Sequence, residues 1–446
     1  MLSVTARIYN NKFYSFDSFG VSGQHRNMLQ KIETQPFQLS TEQQYALEMC
    51  HSGENIFLTG GAGSGKSFVV REFMSEKSDK EMPILASTGA AAVLLGGRTF
   101  HSFFGLGIME GGASATLERV LKDKKTLKRI KQVQGVVIDE VSMIPGEALM
   151  VAELIAQQAR ESSLPWGGLQ IIAVGDFGQL PPVTRFGQKR DWCFQNPVWA
   201  RTDFQVCHLQ LNQRIHHNEF LNVLSDVRQG LVTSRVKEFL NAHTKPHDED
   251  HPGTRLFPRR EQSEAYNQKK LAEINEPEEI VDSIYLGEQK YIDILGKSAP
   301  VPQQLRLRVG CRLMFLKNDP QKRWVNGTRG TLVRIEPDHL VIRKEHGREV
   351  KVEKISFSLL DADGNAKASV IQFPVNLAYA TTIHKSQGAT LDELWCDLGA
   401  LWEPGHAYVA LSRLRDPAGL HIVRWNQRSF ITDPAVTQFY QSSLAK

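Results

Sequence analysis

The segment from Asn55 to Val70, NIFLTGGAGSGKSFVV, constrains the fold of this chain more than any other stretch. An apolar run ends at Thr59, a glycine-rich bend follows from Gly60 to Gly65, and Lys66-Ser67 begins a stretch with helical spacing. Glycines let backbone N–H groups approach a phosphate without Cβ clashes, and a helix N-terminus adds partial positive charge. The pattern Gly-x4-Gly-Lys-Ser between a strand and a helix therefore predicts a phosphate-binding P-loop rather than an ordinary turn.

The residues of this bend have separate predicted tasks. Lys66 is expected to reach the β and γ phosphates of a nucleotide, and the Ser67 hydroxyl is expected to bind Mg²⁺. The backbone that would enclose the phosphates belongs to Gly61, Ala62, Gly63, Ser64 and Gly65.

A second apolar run, GVVIDEVSM at 135–143, ends in two carboxylates. Asp139 is expected to hold Mg²⁺, usually through water, and Glu140 to orient and deprotonate an attacking water. Alone, such a run could simply cap a strand. After a P-loop on the same sheet, it predicts the acidic half of a nucleotide-hydrolysing site.

The next predicted strand leads into VGDFGQLPPV at 174–183. The carboxamide of Gln179 can hydrogen-bond a γ-phosphate without adding charge, so it can respond to the presence of that phosphate. A plain turn over Gly175–Gly178 is the alternative. Pro181 and Pro182 prevent the strand from continuing.

Short apolar runs alternate with helical patterns from about residue 38 to 200. Runs without polar alternation suit strands buried on both faces, and their alternation with helices predicts a parallel sheet. The predicted strands are Ile56–Thr59, Ile84–Ser87, Val136–Asp139 and Leu169–Gly175, and the predicted helices are Lys66–Glu76, Ala90–Leu95 and Glu147–Arg160.

A second lobe of the same kind is predicted near the end of the chain, and the region before it is rich in predicted strands. Its elements are a strand at Leu394–Leu398, a helix at His406–Arg413 and a strand at Leu420–Trp425. The strand-rich region before it predicts a small β-barrel inserted into the second lobe, with strands at Arg312–Leu316, Arg329–Ile335, Leu340–Arg343 and Val350–Phe357.

Composition excludes several classes of protein. The chain has 446 residues, 41% of them hydrophobic, and a net charge of only +4, which permits nucleic acid as a partner without demanding it. Five scattered cysteines without a CxxC pair argue against a disulfide framework and a cysteine zinc site. No membrane span or secretory signal is predicted, and residues 1–37 suit an appended segment or, alternatively, a transit peptide.

Two arginines on the second lobe suggest how a nucleotide could drive movement. Arg214 in LNQRI and Arg413 in GHAYVALSRLR could complete a nucleotide site when the two lobes close. Arg214 could instead be a surface residue. A nucleotide kinase and an ATP-gated clamp that holds DNA without unwinding it are the alternative functions, and a second lobe with its own arginines disfavours the kinase.

Two further segments mix polar and aromatic residues in a way typical of single-stranded nucleic acid binding. GGRTFHSFFGLG at 96–107 holds Thr99, His101, Ser102 and Phe103, and YATTIHKSQGAT at 379–390 holds His384, Lys385 and Ser386. Each phenylalanine could instead belong to the hydrophobic core.

In order along the chain, seven segments resemble the motifs of superfamily 1B DNA helicases, most closely the petite-integration-frequency (Pif-type) branch, kin to RecD. They are LSTEQ, GGAGSGKS, GGRTFHSFFGLG, IDEVSM, GDFGQLPPV, YATTIHKSQGAT and GHAYVALSRL. LRLRVGCRLMFLKN followed by VNGTRG resembles the stretch around the small barrel of that branch, and FLNVLSDVRQG also fits. The resemblance covers about residues 38 to 425 and departs at LQLNQRI, where the family more often has an aromatic residue before the arginine.

The resemblance implies an α/β fold of two RecA-like P-loop lobes with a small wedge insertion and an SH3-like β-barrel insertion in the second lobe. The expected domains are an N-terminal extension at 1–37, the first lobe at 38–200 with the wedge at about 100–130, the second lobe at 201–284 and 369–446, and the barrel at 285–368.

The resemblance also implies roles. Gln43 matches the glutamine that reads the adenine edge, so ATP with Mg²⁺ is the expected fuel. Lys66, Glu140, Gln179, Arg214 and Arg413 match catalytic residues, Ser67 and Asp139 the metal site, and Thr99, His101, Ser102, Phe103, His384, Lys385 and Ser386 the motifs that line a DNA channel.

The expected activity is ATP-dependent unwinding with 5′-to-3′ translocation on single-stranded and forked DNA by a monomer, with RNA–DNA hybrids and G-quadruplexes as further substrates. Repair, recombination, replication and telomere-type maintenance are the expected processes. A bacterial, cytoplasmic protein is favoured, with nucleus or mitochondrion as the eukaryotic alternative.

Two other features, a histidine-rich loop and a basic run, each allow a functional and a simpler interpretation. His243, His247 and His251 lie near Asp248, Glu249 and Asp250 and suggest a metal, but a solvated linker is the simpler interpretation. The basic run at 122–131 could steer DNA toward a separating wedge or could be a solvated helix face, and the sequence leaves this open.

Overall fold

The first lobe is built on a parallel sheet. Its strands are β1 (Ile56–Gly60), β2 (Ile84–Ala86), β3 (Arg98–Thr99), β4 (Gly135–Asp139), β5 (Gln170–Val174) and β6 (Gln205–Leu209), in the order β3-β2-β4-β5-β1-β6. Its helices are α1 (Thr41–His51), α2 (Lys66–Ser75), α3 (Gly89–Leu95), α4 (Phe100–Phe103), α5 (Gly112–Leu121), α6 (Lys124–Gln132), α7 (Gly146–Arg160) and α8 (Pro197–Thr202).

The computed structural model describes residues 39–443 except 96, 185–188, 247, 249–252, 346 and 362–364. Residues from Thr41 onward form one compact unit. The predicted N-terminal extension at 1–37 lies outside the described residues, as do His247, Glu249, Asp250 and His251 of the proposed linker. None of the helices within the described ranges has the length and apolarity needed to cross a membrane.

Both faces of the first sheet are covered, which explains why its strands lack polar alternation. Ile56 and Leu58 pack with Val69 and Phe73 of α2, whereas Phe57, which points to the opposite face, packs in the core that contains α7. The carboxyl ends of β1, β4 and β5 meet at one edge of this sheet because neighbouring parallel strands end together.

The second lobe has a smaller parallel sheet. Its strands are β7 (Thr254–Phe257), β18 (Ala380–Thr382), β19 (Leu394–Leu398) and β20 (Leu420–Trp425), in the order β18-β7-β19-β20. Its helices include α9 (Asn218–Arg228), α10 (Ser234–Ala242), α11 (Arg260–Ala272) and α13 (His406–Leu411). A buried cluster joins α9, α10 and α13 to this sheet, so these helices belong to the second lobe.

The region between β7 and β18 is antiparallel. One sheet contains β11 (Arg312–Phe315), β12 (Arg329–Ile335), β13 (His339–Lys344), β14 (Glu349–Glu353) and β17 (Val375–Leu377). Two smaller sheets contain β8 (Glu279–Asp282) with β10 (Gln304–Leu307), and β9 (Ile284–Gly287) with β15 (Ile355–Leu360) and β16 (Ala366–Gln372), next to α12 (Gln289–Ser298). These sheets fit an insertion into the second lobe, although the domain boundaries themselves stay predictions.

The predicted strand Val350–Phe357 is wrong in one respect, because it is two strands in two sheets. β14 ends at Glu353 and β15 begins at Ile355. Val352 packs in the core of the five-stranded sheet, whereas Phe357 packs in a separate cluster with Leu295 of α12. One apolar stretch thus contributes to two hydrophobic cores. The alternation of apolar and polar residues could not show where the chain passes from one sheet to the other.

The last helix, α14 (Pro434–Ser443), follows the second lobe and packs on the first. Phe439 contacts the rings of Phe57, Phe177 and Trp199 at centroid distances of 6.0, 5.2 and 6.0 Å. The Trp192 indole N–H donates to Asp433 at 2.8 Å. The chain end therefore returns to the lobe in which the P-loop lies, and no feature singled out in the sequence predicted this.

Candidate functional site

The P-loop lies between β1 and α2, and its glycines are required there. Gly63 and Gly65 have φ values of 85° and 93°, which residues with a side chain rarely adopt. A Cβ on Gly63 would lie 2.7 Å from the Cβ of Arg214, and one on Gly65 would lie 2.2 Å from Nε2 of Gln43. Conformation and space therefore both exclude larger residues at these two positions.

Lys66 is the first residue of α2 and points back along the loop. Its Nζ donates to the carbonyls of Gly60 at 2.8 Å and Gly61 at 3.2 Å. Burial lowers the pKa of Lys66, while the carboxylates of Asp176 and Glu140 act in the opposite direction. The ammonium therefore lies at the mouth of the loop, among backbone carbonyls and acidic groups.

The two carboxylates predicted from the second apolar run lie where β4 ends. Asp139 is the last residue of β4, and Glu140 adopts a left-handed conformation with φ 52°, uncommon for a residue with a side chain. Burial and the neighbouring Asp139 raise the pKa of Glu140 to about 7, and burial also raises the pKa of Asp139. Oε2 of Glu140 is buried and has no hydrogen-bond partner among the described residues, which suits a base that would hold a water.

These groups face a cavity of about 930 Å³. Its lining includes predicted nucleotide and catalytic residues from both halves of the chain: Ala62, Gly63, Gly65, Lys66, Ser67, Glu140, Gln179, Arg214 and Arg413. Further lining residues belong to the segments that contain the two arginines, at 213–217 and 388–416. The structure therefore brings together in one space residues that the sequence separates by more than 300 positions.

The two predicted arginines both line this cavity and both hydrogen-bond Ser412. Arg214 donates from Nη1 to the carbonyl of Ser412 at 3.0 Å. Arg413 is 1% exposed and donates to the carbonyls of Val409 and Ser386 at 2.8 and 3.3 Å. Burial, followed by the charge of Arg214, lowers the pKa of Arg413 to about 9.

Gln43, Gly61, Ser64 and Asp139 are predicted site residues that are not among the described residues lining this cavity. Gln43 is buried and donates from Nε2 to the carbonyl of Ser64 at 3.2 Å. In this conformation Gln43 therefore contacts the P-loop backbone itself.

Gln179 connects the cavity to the second predicted DNA segment. It is 5% exposed, and its Nε2 donates to Asp176 at 3.4 Å. Its Oε1 accepts a hydrogen bond of 3.3 Å from Nε2 of Gln387, which follows Ser386. One side chain thus touches both the nucleotide cavity and a segment expected to bind DNA.

The first predicted DNA segment uses its aromatic residues differently from the expectation. Phe100, Phe103 and Phe104 are each 0% exposed and belong to the core of the first lobe. The expectation that Phe103 stacks on a base needs correction, because its ring is enclosed by Phe104 and the guanidinium of Arg129. Thr99 caps α4 by accepting from the N–H of Ser102 at 3.0 Å.

Most of the remaining polar residues of the two segments are at least partly exposed to solvent. His101 and Ser102 are partly exposed, and His384 and Lys385 are exposed, whereas Ser386 is 2% exposed and donates to the carbonyl of Ile383 at 2.8 Å. Lys385 lines a second cavity of about 640 Å³ together with Arg260, Lys297 and Arg306. Thr99, His101 and Ser102 are not among the described residues that line it.

Four residues that the sequence did not single out lie around the P-loop, of which Tyr408 and Asp176 are buried and Arg228 and Tyr440 are partly buried. Tyr408 of α13 accepts from the N–H of Ala62 at 2.8 Å. Asp176, Arg228 and Tyr440 form a hydrogen-bonded cluster beside Gln179. Three of them lie in segments that the sequence analysis had already quoted, GDFGQLPPV, FLNVLSDVRQG and GHAYVALSRL. Residue type alone did not show which residues of these segments point toward the P-loop.

The basic run at 122–131 and the histidine-rich segment that begins at His243 were the other two sequence features. Lys124, Lys125, Lys128 and Lys131 of α6 are exposed, whereas Arg129 is buried and donates to the carbonyl of Phe103. His243 contacts the carbonyl of Phe239 through Nδ1 at 2.7 Å. Within the described part of the chain, no group of three or more His, Cys, Asp or Glu side chains could hold a metal ion.

Comparison with known proteins decides the family. Residues 38–238 match the model of the PIF1-like helicase family. The chain is 64% identical over 404 residues to the ATP-dependent DNA helicase Pif1 of Bdellovibrio bacteriovorus, covering 91% of this chain and 92% of that protein. The chain belongs to the PIF1-like helicase family.

Solved structures agree with the fold of this PIF1-like helicase. A Pif1 from Bacteroides sp. in complex with ADP-AlF4 is 29% identical, with a TM-score of 0.80 over 92% of this chain and 98% of that one. Bacteroides Pif1 in complex with ADP-AlF3 and single-stranded DNA is 28% identical, with a TM-score of 0.64 over the same shares. The predicted family, the α/β fold class and the enzyme class, an ATP-dependent DNA helicase, are confirmed.

Proposed function

We propose that this PIF1-like helicase hydrolyses ATP in the 930 Å³ cavity and uses closure of its two lobes to step along single-stranded DNA. The shared cavity carries the proposal, because Lys66 and Glu140 of the first lobe face Arg413 of the second within one space. A nucleotide held there would contact both lobes, so loss of its γ-phosphate would change how the lobes hold each other.

Each group has a proposed task in hydrolysis. The loop N–H groups and Lys66 bind the phosphates, and Glu140 deprotonates the attacking water. Gln179 contacts the γ-phosphate, and Arg214 with Arg413 stabilises the charge that develops in the transition state. The adenine contact of Gln43 stays a prediction.

The proposed Mg²⁺ site consists of Ser67 and Asp139. Both offer oxygen ligands, which Mg²⁺ prefers, and Asp139 ends the strand two places along the sheet from β1. When bound, the metal would neutralise charge between the β and γ phosphates. Ser67 lines the cavity directly, whereas Asp139 is not among the described residues that line it, which fits a carboxylate that binds the metal through water.

The proposed DNA path follows the exposed polar residues of the two segments. Thr99, His101 and Ser102 would contact the strand from the first lobe, and His384 and Lys385 from the second, whereas Ser386, which is 2% exposed, would support this segment through its hydrogen bond to Ile383. The complex of Bacteroides Pif1 with single-stranded DNA supports this partner. We also propose action as a monomer on forked DNA with 5′-to-3′ polarity, and RNA–DNA hybrids and G-quadruplexes as further substrates in genome maintenance, on the family resemblance alone.

One experiment tests the function. ATP turnover is measured with and without single-stranded DNA, and unwinding is measured on forked duplexes carrying only a 5′ or only a 3′ single-stranded tail. The proposal expects DNA-stimulated turnover and unwinding of the 5′-tailed duplex alone. Binding of the tailed duplex without strand separation would favour the clamp, and unwinding of the 3′-tailed duplex would reverse the proposed polarity.

A further inference from the structure

A fully buried carboxylate, Asp176, lies directly behind the nucleotide cavity. It is 0% exposed and follows β5 by two residues. It accepts two hydrogen bonds from Nε and one from Nη2 of Arg228, the shortest 2.7 Å, and one from the N–H of Gly178 at 2.9 Å. Gln179 and the hydroxyl of Tyr440 complete its surroundings at 3.4 and 3.2 Å.

The arginine that neutralises this carboxylate comes from the other lobe. Arg228 is the last residue of α9, which packs in the core of the second lobe, and its guanidinium lies over the ring of Tyr440 at 4.4 Å. A Cβ on Gly178 would lie 2.7 Å from Cγ of Arg228, so glycine makes room for this approach. The pair is therefore a bidentate ion pair between lobes, and it is not the Arg214 and Arg413 pair assigned to the nucleotide.

Asp176 is also the first of the carboxylates whose charge opposes the lowering of the pKa of Lys66 by burial. β1 and β5 are neighbours in the sheet, so Lys66 and Asp176 follow the ends of adjacent strands. Tyr440 joins the two ends, because its hydroxyl hydrogen-bonds Thr59 of β1 at 3.0 Å and accepts from the N–H of Phe177 at 3.0 Å. A buried carboxylate left without a counter-charge would attract a nearby cation, and the charge of Asp176 already acts on the Lys66 ammonium.

We propose that Arg228 is a positioning residue for ATP binding, which occupies Asp176 so that Lys66 stays free for the phosphates. This inference rests on the proposed role of Lys66 in binding the phosphates. It adds that ATP binding depends on the second lobe, which supplies Arg228. When α9 holds Arg228 on Asp176, the lysine is available. When movement between the lobes withdraws Arg228, Asp176 competes with the nucleotide for the same ammonium.

The test measures the dissociation constant of a fluorescent ATP analogue at equilibrium, with KM and kcat for ATP, in wild type, Arg228→Gln, Asp176→Asn and the double variant. Arg228→Gln is expected to weaken nucleotide binding and raise KM about tenfold or more, which is the effect of losing one charge-assisted hydrogen bond. The double variant is expected to return both values to within about threefold of wild type, because the competing charge is gone.

A matched control separates this role from a structural one. Arg201→Gln leaves another fully buried carboxylate, Glu153, without its 2.6 Å partner, and neither residue is among the described residues that line the cavity. A smaller folded fraction lowers the apparent kcat but leaves KM unchanged, so Arg201→Gln should not alter KM. Arg228→Lys, which keeps the charge but loses the fork, should fall between wild type and Arg228→Gln and serves if the glutamine variant does not fold.

Unchanged nucleotide affinity in Arg228→Gln and Arg228→Lys, or a double variant as weak as Arg228→Gln, would overturn the inference. Neither result would touch the proposed function, which is judged on DNA-stimulated turnover and unwinding by the wild-type chain. Conversely, wild-type protein that binds nucleotide but unwinds nothing would refute the function and leave the effect of Arg228 on nucleotide affinity measurable.

Discussion

The nucleotide cavity of about 930 Å³ and the second cavity of about 640 Å³ are built by different rules. The larger one is lined mainly by contiguous motifs, and the polar side chains of Arg413 and Gln179 are buried there and held by hydrogen bonds. The smaller one combines Ala90 of α3 with residues of α11, of the segment 296–306 and of the segment 376–389. Its basic residues are mostly on the surface, and only Lys385 belonged to a predicted site.

The difference follows from what each cavity would bind. A triphosphate and its metal need fixed groups at short distances, so the chain around them is dictated residue by residue. A sliding polymer needs a charged path that releases it at every step, which many arrangements of lysine and arginine can supply. Variants that affect one cavity and spare the other therefore test whether the two are separate.

Glu140→Gln should have the largest effect, on the first cavity alone. Loss of the base is expected to lower kcat about 10³-fold while ATP and DNA binding stay within about twofold of wild type. Turnover of a radiolabelled nucleotide and anisotropy of labelled DNA measure the two effects. Glu153→Gln, a buried glutamate outside the cavity lining, is the control, and equal turnover in Glu140→Gln and wild type would refute the assignment of the base.

The second largest effect concerns His406, the first residue of α13. It is 1% exposed, its ring nitrogens have no hydrogen-bond partner among the described residues, and it contacts the rings of His384 and Trp402. Burial lowers its pKa to about 4. A proton binds the unfolded chain below pH 6.5 but binds the folded chain only near pH 4, so the free energy of unfolding falls as the pH drops between these values.

This contribution amounts to about 2 kcal/mol between pH 7 and pH 5. Urea unfolding at both pH values measures it, and His406→Gln should lose less stability than wild type over that interval by about this amount. Exposed His216 serves as the control in His216→Gln. An identical pH dependence in wild type and His406→Gln would show that the histidine is protonated with little cost in the folded chain.

The strands and helices around the P-loop could be predicted from the sequence almost to the residue, because each signal there is local. Gly63 and Gly65 permit the left-handed backbone conformation that the loop adopts, and the apolar run 135–139 is typical of a buried strand. The Asp176–Arg228 pair and the return of α14 could not be predicted, since both join residues more than 50 positions apart. Phe103 was misplaced for a related reason, because an aromatic residue among polar ones suits a core as well as a surface.

Lys385→Ala should affect the second cavity alone. Single-stranded DNA binding is expected to weaken about tenfold at low salt, and the slope of log K against log salt should fall by about 0.7. ATP affinity should stay at the wild-type value. Lys128→Ala on α6 removes an exposed lysine from the basic run, and it should leave DNA binding unchanged if that run is only a solvated helix face. An equal loss in both variants would instead extend the DNA path to α6.

The smallest effect is expected at the direct hydrogen bond between Gln179 and the second DNA segment. Gln387→Ala removes the 3.3 Å donor to Gln179 without deleting a charge from either cavity. If this bond carries the signal of bound DNA to the γ-phosphate, DNA stimulation of ATP turnover should fall about fivefold, while ATP affinity, DNA affinity and turnover without DNA change less than twofold. Gln157→Ala, which removes a glutamine bonded to the backbone near Leu164 in the first lobe, controls for loss of a surface carboxamide. Full stimulation in Gln387→Ala would mean that the lobes communicate through their rigid movement instead, and the two cavities would then be coupled by the arginines and the Asp176 cluster rather than by this carboxamide pair.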